Sequence, residues 1–157
     1  MGLDLHTHSR YSDGVLTPEA LCALAVKKKV RTLALCDHDT TEGLRPFLDA
    51  AQALRAQGRE LTALPALELS SGPDGRTHIL GYGVRMDDGM LQTELSTLRE
   101  TRAARGQAML EALRGLGVEI PPAYLPDPTV TAMPVGRPHV ARALVRMGVL
   151  GLDWYQQ

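Results

Sequence analysis

Apolar positions in the first half of the chain follow two alternating patterns. Short apolar runs at 3–8, 32–36, 61–69 and 78–84 are bounded by polar or turn residues and read as strands. Helical spacing separates the first three. Thr17-Pro18-Glu19 combines the hydroxyl, proline and acid of a helix start. Leu21, Leu24 and Ala25 then recur at helical intervals, and Lys27-Lys28-Lys29 suits a helix C-terminus. A second helix, capped by Thr40 or Thr41, is expected to pass through Leu44, Leu48, Ala51 and Leu54 and to stop at Gly58. The continuous run Thr32-Leu33-Ala34-Leu35-Cys36 is that of a parallel strand covered on both faces. Gly72-Pro73-Asp74-Gly75 predicts a turn. The resulting order predicts an α/β fold with a mainly parallel sheet.

The texture changes after residue 85. Residues 87–115 read as helical, with Leu91, Leu95 and Leu98 on one face and Met109, Leu113 and Leu116 continuing it. Gly106, near the centre, leaves open one kinked helix or two. Pro121, Pro122, Pro126 and Pro128 mark a loop. Gly136-Arg137-Pro138-His139 opens a short helix through Val140, Leu144 and Val145. Two parts are expected: 1–85, and a mainly helical 86–157.

Composition narrows the function classes. A length of 157 residues suits one domain, or one fold with a small insertion. A 44% hydrophobic and 22% charged content excludes a disordered tail or fibrous repeat. Net charge is −1, so no global field draws nucleic acid or an anionic membrane, and phosphate recognition must be local. The apolar stretches fall short of the roughly 20 residues that span a bilayer. The opening Met1-Gly2-Leu3-Asp4-Leu5-His6 lacks the basic region of a secretory signal. Cys22 and Cys36 are too far apart for a CxxC motif and read as reduced, buried thiols. A cytoplasmic protein is expected.

The candidate chemistry lies where the strand patterns end. In Asp4-Leu5-His6-Thr7-His8, residues i and i+2 of a strand point the same way, so His6 and His8 project together. Two adjacent imidazoles make poor core residues, because every ring nitrogen needs a partner, and they suit metal ligation by Zn, Mn or Fe. Asp13 follows in Tyr11-Ser12-Asp13-Gly14, where Asp-Gly by itself is only a turn signal. The second strand pattern ends in Asp37-His38-Asp39-Thr40. Glu68 sits within Leu64-Pro65-Ala66-Leu67-Glu68-Leu69, where a carboxylate is costly unless paired or bound to metal. His78 opens the fourth strand. Successive strand ends thus offer His6, His8, His38, Glu68 and His78, with Asp13 nearby. Such mixed ligands suit a two- or three-metal hydrolytic site that generates hydroxide at neutral pH and neutralises phosphoryl oxygens.

These motifs resemble those of the PHP (polymerase and histidinol phosphatase) superfamily. Asp4-Leu5-His6-Thr7-His8-Ser9 with Tyr11-Ser12-Asp13-Gly14, and Asp37-His38-Asp39-Thr40, are similar to its first two motifs. Glu68 and His78-Ile79-Leu80-Gly81-Tyr82 resemble its third and fourth. The short fourth motif, the helical insertion and Gly136-Arg137-Pro138-His139-Val140-Ala141 resemble the subgroup of nucleoside 3′,5′-bisphosphate phosphatases and 5′–3′ oligoribonucleases (TrpH-like). The resemblance implies part of a distorted (β/α)7 barrel with a helical insertion. It assigns His6, His8 and Glu68 to one metal, lets Glu68 bridge to a second with His78, and gives Asp13 and His38 to a third. His6, His8, His38 and Glu68 become the catalytic set, and two or three Mn, Zn or Fe ions the cofactors. Arg137 and His139 become contacts for substrate phosphate, and a helix N-terminus with an arginine suits that anion. The implied activity is hydrolysis of a nucleoside 3′,5′-bisphosphate or short 5′-phosphorylated RNA by metal-activated hydroxide.

The family's later motifs, a strand ending in His and a terminal Asp-x-His, have no match here, and an eight-unit barrel needs about 200–250 residues. The expectation is a partial barrel that associates with itself or with a missing C-terminal half, because open sheet edges and an apolar face invite pairing. A non-catalytic metal-binding or partner-binding fragment is the alternative. A histidinol phosphatase type is disfavoured by the insertion motif. An amidohydrolase would want a later bridging lysine, and no lysine follows Lys29.

Overall fold

The computed structural model describes residues 2–72, 77–127 and 133–151. By contact density the chain divides into two compact units, 1–96 and 97–157.

The first unit contains strands β1 (Gly2–Thr7), β2 (Val30–Leu35), β3 (Thr62–Ser71) and β4 (Thr77–Tyr82), helices α1 (Pro18–Lys27) and α2 (Leu44–Ala56), and the start of α3 (Gly89–Gly115). The sheet order is β1-β2-β3-β4. β1, β2 and β3 run parallel, joined by α1 and α2, and β4 returns antiparallel to β3. This is the α/β arrangement expected from the order of patterns. β3 has two partners in succession. Its first part, Thr62 to Pro65, pairs with β2. From Ala66 to Ser71 it pairs with β4. Glu68 therefore lies within the paired part of β3, beyond the end of β2 and not at the end of its own strand, whereas His78, the second residue of β4, opens that strand as expected.

The helix ends follow local chemistry. The Thr17 hydroxyl accepts from the Ala20 amide at 3.2 Å and caps α1. α2 starts later than expected and without a side-chain cap: Gly43 precedes it, and the Thr40 hydroxyl accepts instead from the Glu42 amide at 3.2 Å. Glycine is required at 43 by crowding, since a Cβ there would lie 2.7 Å from Asp37 Oδ2. Gly58, in the left-handed region at φ +77°, ends the helix as expected. The turn residues Pro73, Asp74 and Gly75, and Pro128 of the proline loop, lie outside the described residues.

The core lies on both faces of β2. On one face Leu33 and Leu35 pack with Cys22, Ala25, Leu44, Phe47, Ala51 and Leu61. On the other, Ala34, Cys36 and Ala66 form a second cluster with Leu64 and Leu80. This double burial is why β2 reads as a continuous apolar run. Both cysteines are free and buried, and burial pushes each thiol up to about 11.

The second unit holds the remainder of α3, a short 3₁₀ turn at Pro122–Tyr124 and helix α4 (Arg137–Arg146). α3 is one uninterrupted helix, which resolves the ambiguity at Gly106. That glycine serves close packing: a Cβ there would lie 2.3 Å from the Val135 carbonyl oxygen. Val140, Ala143 and Leu144 of α4 are buried, and Arg146 stacks over the Tyr124 ring, 4.9 Å from its centroid. Among the described residues no helix is long and apolar enough to cross a membrane.

Candidate metal centre

Four chain segments bring their polar side chains to one place in the first unit. His6 comes from the end of β1 and His8 from just past it. Pairing with β2 slips between Asp4 and Thr7, a bulge of the kind that re-aims side chains. Asp13 comes from the loop that follows. His38 follows β2 and forms an isolated parallel bridge with Glu68. His78 on β4 faces Ser70, so it is the diagonal neighbour of Glu68 on the same face of the hairpin.

Glu68 is the hub. Its side chain is only 6% exposed, and both oxygens are engaged. Oε2 lies 2.8 Å from His6 Nε2, 3.1 Å from His8 Nε2 and 3.7 Å from His38 Nδ1. Oε1 lies 2.7 Å from His78 Nδ1. Asp13 reaches the other side, with its oxygens 3.6 Å from His8 Nδ1 and 3.7 Å from His38 Nε2. His8 and His38 stack with ring centroids 4.8 Å apart. Burial opposes ionisation of Glu68. The His6 hydrogen bond and the charges of His38, His8 and His6 outweigh it and hold the carboxyl below the ordinary carboxylate range.

Three donor triads result: His6, His8 and Glu68; His8, Asp13 and His38; and His38, Glu68 and His78. In each, the ligand atoms lie within 4.8 Å of one another. The first triad tests the fit to a cation. His6 Nε2 and His8 Nε2 approach to 3.1 Å while both face the same carboxylate oxygen. Two ring nitrogens and a carboxylate oxygen that converge on one point need a positive charge shared among them, a proton or a metal ion. Ligands about 2.1 Å from a common ion sit about 3.0–3.4 Å apart in octahedral or tetrahedral geometry. The observed 2.8–3.1 Å spacings reach the short end of that range, so these residues fit a divalent metal.

The six residues singled out in the first unit (His6, His8, Asp13, His38, Glu68 and His78) thus come together. Arg137 and His139 lie in the second unit. Arg137 is exposed at the first position of α4. His139 is 9% exposed, and its Nδ1 accepts from the Gly136 amide at 3.0 Å, which closes the start of the helix.

Sequence reasoning missed the residues that hold the ligands. Asp37 and Asp39 were noticed only as acids flanking His38. Both are buried, at 2% and 0% exposure. Asp37 accepts from the Ser9 amide and from the hydroxyls of Ser9 and Ser12 at 2.6–2.7 Å. Burial pushes its carboxyl upward, against those same hydrogen bonds. Asp39 accepts from the amide and hydroxyl of Ser70, both at 2.7 Å. The available signal was alternation: the neighbours of an inward-facing His38 must face elsewhere and so need other partners. Gly14 closes the loop, where a Cβ would come within 2.2 Å of the His8 carbonyl oxygen.

Comparison with known proteins gives the chain's family. The PHP domain family model matches residues 4–113, more than two thirds of the chain. The chain belongs to the PHP family. A 5′-3′ exoribonuclease, Rnm, of Escherichia coli is 35% identical over 148 residues, which cover 92% of this chain and 48% of the relative. A 3′,5′-nucleoside bisphosphate phosphatase of Chromobacterium violaceum is 33% identical over 153 residues, 94% of this chain and 50% of the relative. A candidate metal-dependent phosphoesterase of Bifidobacterium adolescentis superposes with a TM-score of 0.81 at 28% identity, covering 96% of this chain and 51% of that one. The chain therefore spans about half the length of the PHP proteins it matches.

Proposed function

We propose that this PHP chain belongs to a metal-dependent phosphoesterase that hydrolyses nucleoside 3′,5′-bisphosphates or short 5′-phosphorylated RNA. The observation that carries the reading is the convergence of three His and carboxylate triads in one cluster, two of them sharing Glu68. The names of the exoribonuclease and bisphosphate phosphatase relatives support the substrate class.

In this reading His6, His8 and Glu68 would hold one ion, Glu68 with His78 a second, and Asp13 with His38 a third. Mn, Zn or Fe suits the imidazole-rich donors. When bound, such cations neutralise phosphoryl oxygens and lower the pKa of water. The chain's own residues do the rest. Glu68, His6, His8 and His38 form the catalytic set that fixes the reacting phosphoryl group. Buried Glu68 supplies charge to several ligand sets at once, and the stacked His8 and His38 rings hold one another's orientation. Arg137 offers a bidentate phosphate partner on the second unit, and His139 sets the helix start beside it. Residues 1–85 would be the N-terminal part of the PHP barrel and 86–157 its helical insertion. A cytoplasmic role in nucleotide metabolism belongs to the same reading, supported by two free, buried thiols.

The decisive assay incubates the purified chain with Mn²⁺ and adenosine 3′,5′-bisphosphate. Phosphate release that a chelator and His8→Ala each abolish is expected, and turnover that survives His8→Ala refutes the assignment. A second reading is a metal-binding module without turnover. It predicts tight Mn²⁺ binding with no phosphate release.

Association in trans, with a second copy or a complementary half, forms part of the proposal. Leu3 and Leu5 on the outer strand β1 are 59% and 40% exposed, and Ile79 and Tyr82 on β4 are 53% and 46% exposed. Light scattering during size-exclusion chromatography should give a mass above that of one chain. A stable, monodisperse monomer would count against it.

A further inference from the structure

We infer that Asp37 and Asp39 are positioning residues, a two-armed bracket that sets the spacing between the His8/Asp13 ligands and the Glu68 ligand on either side of His38. This rests on the metal reading above, but it assigns work to residues that reading leaves idle. The first arm is Asp37. Its carboxylate gathers the Ser9 amide, the Ser9 hydroxyl and the Ser12 hydroxyl. Ser9 adjoins His8 and Ser12 adjoins Asp13, so this arm holds both ends of the segment that carries two ligands. The second arm is Asp39. Its carboxylate takes the amide and hydroxyl of Ser70, two residues along β3 from Glu68 and on the same face.

The backbone completes the bracket. The Asp39 amide donates to the Glu68 carbonyl at 3.1 Å, and the Glu68 amide donates to the Asp37 carbonyl at 3.3 Å. His38 is thereby pinned opposite Glu68. Asp39 adopts φ +52°, a left-handed conformation that Asp and Asn tolerate better than most residues. That turn swings its side chain toward Ser70 while His38 faces the metal cluster. The arms act on different ligands, so the Asp13 ligand set, which Glu68 does not enter, should respond to the Asp37 arm and not to the Asp39 arm. Partners that orient metal ligands typically contribute ten- to hundredfold in metal affinity.

The test is Mn²⁺ titration by calorimetry on the full chain, with circular dichroism to confirm folding. Asp37→Asn and Ser12→Ala should weaken the ion held by His8, Asp13 and His38 by ten- to hundredfold. The same loss should be absent when Asp37→Asn is added to Asp13→Ala, where that ion site is already broken. Asp39→Asn and Ser70→Ala should weaken the ions that share Glu68 and leave the Asp13 site intact. Asn keeps the shape of each acid and suits the left-handed turn. The serine variants remove one hydroxyl each and decide the matter if an aspartate variant fails to fold. Isotherms that superimpose on the parent overturn the inference. So does a uniform loss across all ions that tracks melting temperature, since that is what a merely structural role would give. If the parent binds no Mn²⁺, both this inference and the metal reading fail. If it binds Mn²⁺ and only the variants behave as the parent does, this inference fails alone.

Discussion

If the proposed function holds, Glu68→Gln is expected to cut phosphate release by about a thousandfold or more, because it would remove several kcal/mol of charge stabilisation from the cations this cluster would hold. The carboxylate faces four imidazoles at 2.7–3.7 Å, and no other side chain enters two of the three triads as a carboxylate. Glutamine keeps the volume and one acceptor oxygen but replaces the other with a donor. Whichever way the amide turns, either His78 or the His6 and His8 pair meets an N–H in place of an oxygen. The charge that lets the three imidazoles share one oxygen is lost as well. Mn²⁺ stoichiometry should fall with activity while circular dichroism stays unchanged. His78→Ala should cost less, since His78 contacts only one oxygen and sits at the rim, 28% exposed. Turnover in Glu68→Gln within a few fold of the parent would remove Glu68 from the hub of the site.

The second large effect concerns stability. Phe47→Ala should destabilise the first unit by about 3–5 kcal/mol, a large share of the roughly 5–15 kcal/mol that holds a domain of ordinary size together. Phe47 is the sole phenylalanine of the chain, has 0% exposure and is the largest fully buried side chain among the described residues. It lies on α2 amid Leu33, Leu35, Leu44 and Cys22, and its carbonyl accepts from the Cys22 thiol at 3.6 Å. Truncation leaves a cavity between helix and sheet that close-packed neighbours cannot collapse to fill. Urea unfolding reads the loss directly, as a lower midpoint at unchanged slope. Phe47→Leu, which keeps more of the volume, should lose less. A midpoint shift worth under about 1 kcal/mol would mean that α2 contributes little to the cooperative core.

Much of the fold was legible in the chain. Period-2 and period-3.6 patterns separate strands from helices because each element buries one side, and β2 stands out because it buries both. The caps at Thr17 and Gly58 were legible for a local reason: a hydroxyl near a free amide, and a glycine where the backbone turns left-handed. The start of α2 was not. Thr40 looked like a cap, but the chain turns there under a tertiary constraint, the approach of Gly43 to Asp37. The break or kink left open at Gly106 does not occur, because the reason for that glycine is the carbonyl of Val135, 29 positions along the chain.

The site divides the same way. The residue types and their i, i+2 spacing already required His6 and His8 to project together, and marked Glu68 as a carboxylate that an apolar strand could not hold unpartnered. Ligand chemistry is a property of side chains and travels with the sequence. Which oxygen of Glu68 meets which imidazole, the 3.1 Å approach of His6 to His8, and the outward arms of Asp37 and Asp39 depend on strands brought together from 30 and 60 residues away. Spacings fixed to within a few tenths of an ångström between such segments arise only when the sheet register and the packed helices hold them, and no local pattern encodes that.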